Sequence, residues 1–183
     1  MLQTVSLSLL LLFSLQLFCQ NTPLIHKKLV VTDFKGETDE RSFFLARTYT
    51  VISLSYSEPS PCGADRTKVR LTVQTGNRLS DKSWIKADRV KSKSILAELL
   101  SHEQGHYDIG ETFALDLQNK LTQTCFSKVR YKAEADSIFR AMNKRYDVLQ
   151  QQYDAETNNM QNTAEQARWK KKIQAMLADK EKQ

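Results

Sequence analysis

The chain has 183 residues, room for one domain or for one domain with a tail. Hydrophobic residues make up 40% and charged residues 26%, the composition of a globular protein with a buried core, and 5 Gly with 3 Pro exclude a collagen-like or Pro/Gly-rich disordered chain. The net charge of +6 is modest. No dense Lys/Arg block interleaved with aromatics accompanies it, so no nucleic-acid partner is read; Lys170-Lys171-Lys172, the one basic cluster, fits a solvated helix face.

Val5 to Phe18 is almost wholly apolar and carries no charge. It is shorter than the roughly 20 residues of a membrane span and fits the apolar core of a secretory signal peptide, residues 1–19, cleaved near Cys19-Gln20. The alternative is a lipid anchor on Cys19, although Leu17-Phe18 make a poor lipidation signal. The sequence thus predicts an exported protein, periplasmic or secreted, with no membrane span in the mature chain. Removing the signal leaves Cys62 and Cys125, an even pair that reads as one disulfide in an oxidising compartment. Two free buried thiols are the alternative. His26 sits near the mature N-terminus and reads as solvated.

From Lys28 to about Val90 the texture is extended. Leu29-Val30-Val31 is a short apolar run ended by Asp33 and Gly36; Phe43 to Tyr56 mixes aromatic and β-branched residues and is closed by Pro59 and Pro61. Val69, Leu71 and Val73 alternate with polar residues, and Gly76-Asn77 reads as the turn that stops them. Ser57 to Ala64 reads as a loop, and Trp84-Ile85 as one more short strand or loop. These runs predict a small, mostly antiparallel sheet of three to four strands. From Ser92 onward there is no Pro, and Gly occurs only at Gly105 and Gly110. Helices are expected near 92–123, 128–158 and 163–179, with Trp169, Ile173 and Leu177 as the core stripe of the last and Arg140, Lys144 and Arg145 on a wet face. Strands followed by helices argue α+β, with one domain over 27–179 and a frayed tail at 180–183.

Residues His102-Glu103-Gln104-Gly105-His106 read H-E-x-x-H. On a helix, positions i and i+4 share a face, so both imidazoles can hold one metal ion. Glu103 is offset by about 100° and can reach a water at that ion without being a ligand. Zinc acidifies such a water and the carboxylate takes its proton, so Glu103 is the candidate catalytic base. The histidines also fall on an apolar stripe: Ile95, Leu99, His102, His106, Ile109, Phe113, Leu117, Leu121. Two imidazoles buried there would be costly without a ligand. Core-edge histidines that merely satisfy nearby polar groups are the plainer alternative.

Leu99-Leu100-Ser101-His102-Glu103-Gln104-Gly105-His106-Tyr107-Asp108-Ile109 resembles the signature of a family of predicted secreted bacterial zinc-dependent proteases, catalogued as a domain of unknown function, DUF922. Val31-Thr32-Asp33-Phe34-Lys35-Gly36 resembles its first strand and turn, Ser83-Trp84 its Ser-Trp before the motif helix, and Tyr153-Asp154-Ala155-Glu156-Thr157 with Gln166 and Trp169 its C-terminal segment. The resemblance covers roughly residues 30 to 175. It implies a zincin-like zinc-hydrolase fold in the cell envelope and supplies no substrate; with the motif, the leading reading is an exported zinc hydrolase, a peptidase first of all, with a peptide or cell-envelope substrate. The family commonly has a histidine shortly after Tyr-Asp-x-x-Thr, where this chain has Asn158-Asn159-Met160. If that histidine is a ligand in relatives, an inactive envelope scaffold or interaction protein is the alternative. A zinc site used only for stability is a third reading, which the presence of Glu103 argues against.

Two histidines leave at least one ligand to be found. Glu111 could serve only if Gly110 broke the helix. In an antiparallel hairpin of the first two helices turning near residue 126, position 104 faces about position 148. Glu134 is then on the order of 20 Å away along the axis, while Asp147 and Asp154 are much nearer. Asp154, part of the family-like segment, is the expected third ligand; a cap or polar contact is its plainer role. Tyr153 or Tyr146 could polarise a substrate carbonyl, though each is also an ordinary packed aromatic.

Overall fold

The computed structural model describes residues 27–57 and 59–180. The expected signal peptide, Cys19 and His26 lie outside these residues. The order is seven short strands, β1 Ala46–Arg47, β2 Thr50–Tyr56, β3 Ser60–Cys62, β4 Asp65–Arg70, β5 Val73–Leu79, β6 Trp84–Ile85 and β7 Phe126–Ser127, and three long helices, α1 Lys93–Gln123, α2 Tyr131–Thr157 and α3 Thr163–Lys180. The class is α+β, as expected. Lys180, expected in the tail, closes α3, and its ammonium lies 2.8 Å from Asp116.

The strand half departs from the single small sheet read from the sequence. It forms three separate antiparallel ladders, β1–β6, β2–β5 and β3–β4–β7. Leu29-Val30-Val31 runs into a single 3-10 turn at Val31–Asp33, with the Val30 amide donating to the Asp33 carboxylate. The run Ser57 to Ala64 holds strand β3, not only a loop. Gly76-Asn77 is no turn either, because Gly76 pairs with Ser53 and Asn77 with Ile52 in the middle of the β2–β5 ladder. The reason is tertiary. Asn77 donates its side-chain amide to the Tyr107 carbonyl of α1 (2.9 Å), and Thr75 donates its hydroxyl to the Ala114 carbonyl (2.6 Å), so β5 is fastened lengthwise along the helix.

Helix α1 runs unbroken for 31 residues from its N-cap Ser92, whose hydroxyl accepts the Ile95 amide. It is the centre of the molecule, with β2 and β5 on one side and α2 and α3 on the other. Its two glycines mark the crossings. A Cβ on Gly110 would lie 2.9 Å from Asn77 Oδ1 and 3.1 Å from Thr50, and one on Gly105 would lie well inside contact distance of the Tyr153 ring. Gly110 therefore lets the helix lie on the ladder and does not break it. Glu111 stays on the continuous helix away from the histidines.

The main core joins Val69, Leu71 and Val73 to Ile109, Phe113, Leu117 and Leu121 of α1, to Phe126, and to Tyr146, Tyr153, Trp169, Ile173 and Leu177 of the other helices. The expected stripe of α3 is buried, and Arg140, Lys144 and Arg145 are exposed. A disulfide joins Cys62 to Cys125, Cα to Cα 5.9 Å, and ties β3 to the segment leaving α1. No helix among the described residues is long and apolar enough to cross a membrane.

Candidate metal centre

His102 and His106 sit one turn apart on α1, their rings 4.9 Å apart and perpendicular. Opposite them, from the last turns of α2, comes Asp154. Its Oδ1 lies 3.2 Å from His102 Nε2 and 2.8 Å from His106 Nε2. The three donor atoms lie within 4.8 Å of one another, a grouping that could hold a metal ion. The antiparallel crossing of α1 and α2 brings Asp154 there, whereas Asp147 is exposed and accepts a hydrogen bond from Asn143 on its own helix. Glu134 is occupied at the opposite end of the hairpin, accepting the Ser127 amide.

The far nitrogens of both rings are fixed by glutamines. His106 Nδ1 lies 2.6 Å from Gln150 Oε1, and His102 Nδ1 lies 3.0 Å from Gln166 Oε1. The amide orientations follow from what else they touch. Gln150 Nε2 donates to the His106 carbonyl (3.0 Å), so its oxygen must face the ring. Gln166 Nε2 donates to the Tyr153 hydroxyl (2.6 Å), which in turn donates to the His102 carbonyl (3.1 Å). Each Nδ1 therefore carries a proton, and each Nε2 faces the Asp154 oxygen, where a shared proton or a cation can lie between them. This is the arrangement in which outer partners set the tautomer of metal-binding histidines. Three acceptors aimed at one point repel unless a proton or a cation lies among them. Burial opposes charging of His106, but its hydrogen bond to Asp154 and the nearby Glu103 charge outweigh that and raise its pKa. Burial likewise opposes ionisation of Asp154, yet the hydrogen bonds from His102 and His106 hold its carboxyl well below the usual range. Two imidazoles and a carboxylate form a donor set that could hold a divalent metal ion.

Glu103 is 3% exposed, and its Oε2 has no hydrogen-bond partner. Native interiors rarely leave such an atom alone without a ligand to meet it. It borders a cleft of about 280 Å³ together with His102, His106 and Asp154. One wall of that cleft is the continuous segment from Phe43 to Thr48, and the other rim is Asn159, Met160 and Gln161. Asn158, Asn159 and Met160 all have positive φ (45°, 48° and 74°), an unusual run for residues with side chains.

Neither tyrosine suggested as a carbonyl-polarising group borders the cleft. The Tyr153 hydroxyl is wholly buried behind the His102 ring, which stacks on it at 4.7 Å. The Tyr146 hydroxyl is bonded to Asp116, farther along α1. Both phenols are pushed up, first by burial. Gln150, Gly105 and the Phe43–Thr48 wall were not legible as site residues. Gln166 carried one signal, its place in the family-like C-terminal segment. The alternating apolar and polar pattern says nothing of which amide a ring nitrogen will meet.

The family model described as "Bacterial protein of unknown function (DUF922)" matches residues 27–162. No curated protein and no solved structure matches the chain.

Proposed function

The chain belongs to the DUF922 family, and on that premise we propose that it is an exported zinc metallohydrolase, a peptidase, in which His102, His106 and Asp154 hold the ion and Glu103 is the base. One observation carries the reading: two imidazoles, each with a proton fixed on Nδ1 by a glutamine, turn their Nε2 atoms onto one carboxylate oxygen. The disulfide fits an oxidising compartment.

Bound there, zinc supplies Lewis acidity, acidifying water and polarising a carbonyl. The rest belongs to the chain. Gln150 and Gln166 hold the imidazoles in the ligating tautomer. Asp154, kept ionised, adds the negative charge that a divalent cation needs. Glu103, one residue along α1 from His102, presents an unengaged oxygen to the cleft and takes a proton from the attacking water. It can return that proton to the leaving amine. Burial of the His102 ring against Tyr153 shields its donor from bulk water.

Purified protein is expected to carry about one zinc per chain. Glu103→Gln should keep that zinc and lower the rate of peptide hydrolysis by roughly 10²- to 10⁴-fold, the usual contribution of a positioned acid–base group. Hydrolysis that survives Glu103→Gln removes Glu103 from the mechanism. A second reading, an envelope scaffold without activity, is favoured by Asn159, which stands on the cleft rim near the position where relatives commonly have histidine. Absence of bound zinc in the purified protein selects that reading.

A further inference from the structure

The wall opposite the histidines is built to meet something. Lys86, almost fully buried, anchors it: its amide donates to the Leu45 carbonyl (2.7 Å) and its ammonium to the Ser42 carbonyl (2.8 Å). In the antiparallel β1–β6 register, that first bond turns the backbone groups of Leu45 and Arg47 toward β6. Those of Ala46 and Thr48 turn to the other edge, where no strand pairs among the described residues. Thr48 Oγ1 is buried on this wall without a hydrogen-bond partner. Of the three such side-chain atoms among the described residues, it and Glu103 Oε2 belong to residues lining this cleft.

Arg47 belongs to this wall and is exposed. Its guanidinium lies 5.2 Å from the centroid of the Phe44 ring and 6.0 Å from that of Tyr49. No carboxylate among the described residues pairs with it. A guanidinium near the face of an aromatic ring is drawn to its π cloud without spending its N–H groups, which stay available to donate. The charges of the cleft sharpen this. Among its lining residues only Arg47, Glu103 and Asp154 carry full charges. A divalent ion held by His102, His106 and Asp154 would balance the two carboxylates and leave Arg47 as the uncompensated charge.

We propose that Arg47 is a specificity-determining residue that takes a carboxylate of the substrate, so that the site acts on polypeptides carrying an acidic side chain or a free C-terminus beside the scissile bond. This rests on the hydrolase reading for its substrate class, and binding tests it without catalysis. The probes are short fluorescent peptide pools offered to zinc-loaded Glu103→Gln protein. One pair is C-terminally amidated, with either Glu or Gln at a scanned position; a second pair has no acidic residue and either a free or an amidated C-terminus. The carboxylate-bearing member of one pair should bind about tenfold tighter than its neutral counterpart, and which pair shows it identifies the source. Arg47→Ala on that background should bring the ratio to about one, Arg47→Lys should retain part of it, and Arg47→Glu should reverse it toward pools carrying Lys. In otherwise unaltered protein, Arg47→Ala should raise KM with little change in kcat. Equal binding of charged and neutral pools, or a preference that persists in folded Arg47→Ala protein, overturns the proposal. A preference that Arg47 controls, in a protein that cleaves no pool faster than Glu103→Gln, overturns the hydrolase reading and leaves the carboxylate subsite standing.

Discussion

Between Leu99 and Asp108, helix α1 buries a histidine, a glutamate and an aspartate, with His106 half-buried beside them; between Ile109 and Leu121 it buries Ile109, Phe113, Ala114, Leu117 and Leu121. The same helix, at similar depth, is held by hydrogen bonds in one half and by hydrocarbon contact in the other. In the first half, bonds from Gln150, Gln166 and Tyr153 orient the polar groups, and one carboxylate oxygen stays unpartnered at the cleft. In the second, Leu121 and Phe126 belong to one apolar core, and a disulfide closes the end of the helix onto β3. Apolar contact is insensitive to direction and suits stability, whereas polar burial is directional and suits a site. Disturbing one half should therefore leave the property of the other largely intact.

The largest effects are expected at the apolar end. The disulfide closes a loop with a sequence separation of 63, worth about 4 kcal/mol in the chain-entropy model, and Leu121→Ala should cost about 3 kcal/mol through the cavity it leaves. Denaturant unfolding of Cys62→Ser/Cys125→Ser and of Leu121→Ala should show these losses, with zinc per folded molecule unchanged. Gly105→Ala should breach the comparison, since its new methyl meets the Tyr153 ring that stacks on His102. About 2 kcal/mol of destabilisation is expected from overpacking, together with weaker zinc binding. Gln150→Ala or Gln166→Ala should sharpen it, lowering zinc affinity about 10- to 100-fold in a competitive chelator titration while unfolding shifts by only about 1 kcal/mol.

The smallest effect is a pH dependence whose sign the metal reverses. In chelator, the raised pKa of His106 contributes stability that is fully present below its ordinary value of 6.5 and is lost as pH rises through the raised one. The lowered pKa of Asp154 contributes stability present above its ordinary 3.8 and lost as pH falls through the lowered value. Thermal melts of the metal-free protein should therefore decline as pH rises above about 6.5, and His106→Gln should remove that decline. With zinc in excess the midpoint should instead rise over the same interval, because the cation takes the place of protons.

The three helices and the H-E-x-x-H spacing were legible because they rest on interactions within a few residues: absence of Pro, a 3.6-residue apolar period, and rings one turn apart. Gly76-Asn77 misled for the complementary reason. Its turn propensity is local, but fastening of β5 along α1 through Thr75 and Asn77 outweighs it. Gly110 read as a place where the helix could break, when its missing side chain serves a close approach to Thr50 and Asn77.

By itself, then, the sequence determined that one turn of helix would carry two imidazoles and a carboxylate, and that two cysteines were available to pair. Tertiary structure decided which carboxylate faces the imidazoles, which amides set their tautomer, and that Arg47 shares their cleft. Those outcomes depend on the crossing of α1 with α2 and on strands paired across thirty and more residues. Such contacts come from burial and chain topology summed over the whole molecule, and no short stretch of residues encodes them.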